Sequence, residues 1–179
     1  MNYFMRTVTA GFAFVQIAIP VQAQQVDPDN ALVMELKCGE VVIGLRPDVA
    51  PGHVERIKEL SREGFYDGII FHRVIDGFMA QTGDPTGTGM GGSDRPDVAA
   101  EFSDVPFNRG TVGMARSSDP NSANSQFFIM FAEGSFLNGN YTVVGEVVEG
   151  MDCVDQINKG EPPASPDQII DMQVMTDAG

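Results

Sequence analysis

A chain of 179 residues, 42% hydrophobic and 20% charged, is long enough to bury one sizeable core and too apolar for a disordered polymer. Eleven Lys and Arg against 25 Asp and Glu leave a formal net charge of −14. That field repels phosphate backbones and anionic lipid headgroups, which argues against nucleic acid or a membrane surface as partner.

The first stretch, MNYFMRTVTAGFAFVQIAIPVQAQQ, carries Arg6, then an apolar run, Pro20, and Val21-Gln22-Ala23 as a small-residue cleavage site. It reads as an export signal over residues 1–23, bacterial in style, which directs the chain to the periplasm and leaves it unattached to the membrane after cleavage. The run is too short, and too interrupted by Gln16 and Pro20, for a membrane span. Residues 24–30, QQVDPDN from Gln24, read as a flexible segment, and 31–179 as one folded domain. Cys38 and Cys153 are the only cysteines; an oxidising compartment permits a disulfide, but two distant cysteines do not dictate one, and the pairing stays open.

The folded part opens with two strand-like runs, Ala31 to Lys37 and Val41 to Leu45, joined at Cys38-Gly39-Glu40 as a hairpin. APGHVERIKELSREG then has Pro51 at a helix start, Val54, Ile57 and Leu60 at helical spacing, and Gly64 as the stop. FHRVIDGFMAQTGD reads as two short strands turning at Asp76-Gly77. Alternation puts Arg73 on one face with Phe71 and Ile75, and Gln81 with Met79. A glycine-rich loop, GDPTGTGMGGSDRPD, follows, then strands over Thr111 to Ala115, Gln126 to Phe131 and Thr142 to Val148. GMDCVDQINKG is a short helix and QIIDMQVM a last strand. Many short strands with two helices predict a closed antiparallel barrel or a sandwich.

Three familiar chemistries are not supported. Gly87, Gly89 and Gly92 fit G-x-G-x-x-G, but no apolar strand precedes them and SDRPD does not open a crossover helix. His53 and His72 have no ligand spacing with each other or with either cysteine, so no metal is implied. The serines of RSSDPNSANSQ lack a nucleophile elbow.

In SQFFIMF, Phe127, Ile129 and Phe131 share the denser apolar face, which leaves Gln126 beside Phe128 on the other. With Phe136, Leu137 and Tyr141 from GSFLNGNYT, these residues predict an exposed apolar pocket rimmed by Arg73, Gln81 and Gln126, suited to an uncharged ligand.

FHRVIDGFMAQTGD, MARSSDPNSANSQFFI and FLNGNYTVVGEVVEGMD together resemble, in sequence and spacing, the central motifs of the cyclophilin family of peptidyl-prolyl isomerases, over about residues 32–176. The resemblance implies a mainly-β fold, an eight-stranded antiparallel closed barrel capped by two α-helices, with the site on its outer surface. It implies a monomeric isomerase without cofactor, acting on proline-containing peptides and unfolded exported proteins, and binding cyclosporin weakly. It implies Arg73 as the catalytic arginine with Gln81 aiming its guanidinium, and Phe78, Met79, Phe128 and Leu137 as the proline pocket. Gln126, Ala115 and Arg116 then meet the peptide, the last two through backbone groups. Phe136 stands where the best-known eukaryotic members have tryptophan, Tyr141 where they have histidine, and Arg116 where they have asparagine. The alternative is a chaperone that binds proline peptides in the same pocket without turnover.

Overall fold

The structure is a computed structural model and describes residues 26–178; the segment read as an export signal lies outside the described residues. A 3-10 turn, Pro28–Asn30, is capped by Asp27 and leads into the hairpin of β1 (Ala31–Leu36) and β2 (Gly39–Leu45). Its register, with Leu32 opposite Ile43 and Met34 opposite Val41, turns these four side chains into one core. The turn is fastened from outside by a disulfide between Cys38 and Cys153, with Cα atoms 5.4 Å apart.

Helix α1 (Pro51–Arg62) buries Val54, Ile57 and Leu60, as their spacing predicts, and with them His53 and Ser61. Ala50 offers no side-chain cap. A distant carboxylate replaces it: Glu101 accepts from the Gly52 and His53 backbone N–H groups and lies 2.6 Å from His53 Nδ1. Burial would raise the Glu101 pKa, but these hydrogen bonds outweigh it and hold the carboxyl below its ordinary range.

The remaining strands are β3 (Arg73–Ile75), β4 (Met79–Thr82), β5 (Thr111–Met114), β6 (Phe127–Met130), β7 (Val143–Glu149) and β8 (Asp171–Val174), with α2 (Met151–Asp155) after β7. All pairings are antiparallel, in the order β3-β4-β6-β5-β7-β2-β1-β8. The closed barrel implied by the resemblance is therefore incorrect. The eight-stranded sheet is an open half-barrel, and its two edge strands, β3 and β8, do not pair with each other. Instead of a ladder, an irregular segment before β8 meets the β3 side through isolated bridges, Val74 to Gly160 and Ile70 to Gln168. That segment carries Pro162, Pro163 and Pro166, which have no N–H to donate and cannot extend a ladder.

Two apolar clusters lie on opposite faces of the sheet. The larger holds Val74, Ala80, Phe127, Ile129 and Phe131 with the buried faces of the hairpin and α1. Phe71 belongs to it as well, not beside Arg73, because β3 begins only at Arg73 and the alternation does not reach back to Phe71. The smaller cluster, Met79, Phe107, Phe128, Met130, Leu137 and Val143, lies on the outer face with Ile75 and Phe78 packed against it. Among the described residues no helix is long and apolar enough to cross a membrane.

Candidate active site

The outer cluster forms the floor of a groove. In β3–β4, Arg73 is opposite Gln81 and Ile75 opposite Met79, so the polar pair and the apolar pair stand on one face. Gly77, with φ of 67°, makes the turn between these strands, and Phe78 leaves it toward the groove. Strand β6 then sets Phe128 opposite Gln81, and β5 sets Gly113 opposite Phe128. Gly113 is required by contact: a Cβ there would stand 2.5 Å from Phe107 and 2.6 Å from Phe128, whose rings stack at 5.8 Å. The 3-10 turn Ser135–Leu137 buries Leu137 and leaves Phe136 68% exposed, its ring 5.4 Å from that of Phe78. Tyr141 stands edge-on to Phe128 at 5.9 Å.

The groove so formed has a volume of about 540 Å³. It is lined by Arg73, Phe78, Met79, Gln81, Ala115, Arg116, Phe128, Phe136, Leu137 and Tyr141, all named from sequence, and by Asn140, which was not. Gln126 lines the adjoining groove and is joined to the first by Gln81, whose Nε2 donates to Gln126 Oε1 at 2.8 Å. Gln126 Nε2 in turn donates to the carbonyls of Gly89 and Gly91. The loop that presents those carbonyls is held by Asp84, the buried carboxylate at its start. It accepts from the backbone N–H groups of Thr86, Thr88, Gly89 and Gly91. Burial alone would raise the Asp84 pKa; the bonds from Thr86, Gly91 and Gly89 outweigh it and bring it to about 2. The loop is an anion-holding nest whose anion is the protein's own.

Arg73 is the cation at the groove's other rim, with 42% of its side chain exposed. Its Nε donates to Glu161 Oε2 at 2.8 Å. Gln81, expected to aim this guanidinium, donates through Nε2 to Gln126, and no hydrogen bond joins its Oε1 to Arg73. His72, next in the chain, is buried; burial pushes its pKa below the ordinary histidine range, so it adds no charge beside Arg73 at neutral pH. Across the groove, the Arg116 guanidinium lies 4.5 Å from the Tyr141 ring centroid and donates to the Asn140 and Ser117 carbonyls. Sequence reasoning gave Arg116 a backbone role only and did not detect Asn140 or Glu161.

Residues 31–174 match the family described as cyclophilin type peptidyl-prolyl cis-trans isomerase/CLD. The chain belongs to this family. A probable peptidyl-prolyl cis-trans isomerase of Brucella suis is 54% identical across 97% of this chain and 98% of its own. Among solved structures, the cyclophilin AquaCyp293 of Hirschia baltica superposes with a TM-score of 0.79 at 33% identity, covering 86% of this chain and 77% of its own. A cyclophilin type isomerase of Cryptosporidium parvum, crystallised in the presence of the dipeptide ala-pro, gives 0.74 at 30% identity over 80% of this chain and 98% of its own. The cyclophilin match spans both clusters and every strand of the half-barrel.

Proposed function

We infer that this cyclophilin catalyses cis-trans rotation about X–Pro bonds, with the groove between Arg73 and Tyr141 as its active site. The observation that carries this reading is a guanidinium at the rim of an apolar pocket made by Phe78, Met79, Phe128 and Leu137. An X–Pro amide resists rotation by about 18–20 kcal/mol, and no covalent bond need break to lower that barrier. Midway through rotation the proline nitrogen loses conjugation and regains a lone pair. A donor directed at it binds the twisted state better than either planar one, and Arg73 is that donor. The apolar pocket fixes the ring while the preceding carbonyl swings, and Ala115, Arg116 and Gln126 hold the peptide on either side. A groove of the same shape would serve a binding chaperone, but such a chaperone has no use for a donor at the rotating nitrogen.

The substrates are proline-containing segments of exported proteins, bound by a monomer from which residues 1–23 have been removed. Supporting this are the order of charge, apolar run and cleavage site in those residues, and the Cys38–Cys153 disulfide, a bond that persists in oxidising compartments. The test is isomerisation of a chromogenic proline peptide by the purified chain, with fractionation of cells making the full sequence. Turnover and a mature form beginning at Gln24 are expected; peptide binding without turnover would favour the chaperone, and an uncleaved chain in the cytosol would remove the export reading.

A further inference from the structure

Arg73 ends on a flexible side chain at a half-open rim, so its orientation has to come from a partner. On the same face of the hairpin Gln81 is closest in register, yet no hydrogen bond joins its Oε1, the amide's acceptor, to the guanidinium. The partner comes from the segment that leaves the half-barrel open. Val74 and Gly160 exchange two backbone hydrogen bonds of 2.8 Å, an antiparallel bridge that brings their neighbours, Arg73 and Glu161, side by side. Glu161 Oε2 then accepts a hydrogen bond from Arg73 Nε–H at 2.8 Å.

We propose that Glu161 is the positioning residue of Arg73, holding the guanidinium by Nε so that its two terminal nitrogens are left for the peptide. This rests on the isomerase reading above. Bonding at Nε fixes the plane of a guanidinium without occupying its terminal NH₂ groups, as a bidentate end-on pair would. Among the described residues no acceptor engages the terminal nitrogens of Arg73. The contact serves orientation more than stability, because both side chains are about half exposed and such pairs stabilise a fold little.

The experiment compares the mature wild type with Glu161→Ala and Glu161→Gln, measuring kcat and KM on a proline peptide and the Arg73 Nε–H resonance, assigned by its loss in Arg73→Ala. In Glu161→Ala the kcat is expected to fall roughly two- to fivefold, with KM held within about a factor of two and the Nε–H resonance moved to the solvent-exposed position. Glu161→Gln keeps an acceptor oxygen and should lie between the two in both readouts. It also replaces Glu161→Ala as the working variant if the alanine chain does not fold. Wild-type kcat in a folded variant, or an Nε–H resonance unmoved by the alanine substitution, overturns the proposal. A wild type without isomerase turnover counts against the isomerase reading instead, and the resonance still reports whether Glu161 holds Arg73.

Discussion

The Arg116 guanidinium stands over the Tyr141 ring at 4.5 Å, and Tyr141 stands edge-on to Phe128. Two positions that depart from the best-known eukaryotic pattern therefore form one unit, fastened by the bonds from Arg116 to the Asn140 carbonyl. Arg116→Ala should raise KM for proline peptides about two- to fivefold, because a partly exposed cation–π contact is worth about 0.5–1 kcal/mol and its loss frees the ring that walls the pocket. A double-mutant cycle with Tyr141→Ala measures this. Strictly additive effects would show that the two residues act separately.

Strong acid should loosen the glycine-rich loop. Asp84 has a folded-state pKa of about 2 against an ordinary 3.8, so its contribution is complete above pH 4 and is lost as pH falls through about 2. The depression corresponds to about 2 kcal/mol, and Asp84→Asn should forfeit a similar amount at neutral pH. Amide exchange of Gly89 and Gly91 follows it directly. Protection that survives both pH 2 and Asp84→Asn would mean that the loop does not depend on this carboxylate.

The disulfide closes a span of 115 residues between the β1–β2 turn and α2. Chain-entropy arguments put the stabilisation from a closed loop of that size at about 5 kcal/mol, and removal of native disulfides typically costs about 2–5 kcal/mol. Reduction should lower the melting temperature by several degrees and leave turnover at room temperature unchanged, since neither sulfur lines the groove. Thermal melts with and without reductant check the first expectation, and an isomerase assay in reductant checks the second. A reduced protein with unaltered melting would mean that the bond does not constrain the unfolded chain.

Much of this arrangement can be read in the sequence. The alternation in SQFFIMF suffices to divide Phe127, Ile129 and Phe131 from Phe128, because a strand between two apolar clusters must send successive rings to opposite sides. The hairpin and α1 follow from turn residues and spacing in the same way, although the turn is Lys37-Cys38 and Gly39 and Glu40 already pair with Leu36 and Glu35. The open edge does not, because strand counts say nothing of whether the two edge strands, β3 and β8, meet, and three prolines between α2 and β8 prevent a ladder there. Glu161 was out of reach for a related reason. It lies 88 positions from Arg73, in a segment without periodicity, and only the bridge at Gly160 brings it near. Asn140 and Arg116 were missed as partners because their contact runs through a backbone carbonyl, which no side-chain pattern marks.

Cyclosporin should bind this protein more weakly than it binds cyclophilins with tryptophan at the position of Phe136. Phe136 is exposed and packs on Phe78, which preserves an apolar surface but offers no N–H. One neutral hydrogen bond contributes about 0.5–1.5 kcal/mol, so Phe136→Trp should tighten binding by up to about tenfold in calorimetry. Unchanged affinity in that variant would remove Phe136 from the drug's contact surface.

The rate of the Arg73→Ala variant, measured beside its thermal melt, bears most directly on the mechanism. Arg73 fills no core and stands with 42% of its side chain exposed, so the variant should melt close to the wild type. Turnover on a proline peptide should fall by about tenfold or more, the loss of at least ~1.4 kcal/mol of interaction made only in the twisted state. An Arg73→Ala chain that melts normally and keeps full turnover would contradict the account, for then no donor at the proline nitrogen is needed.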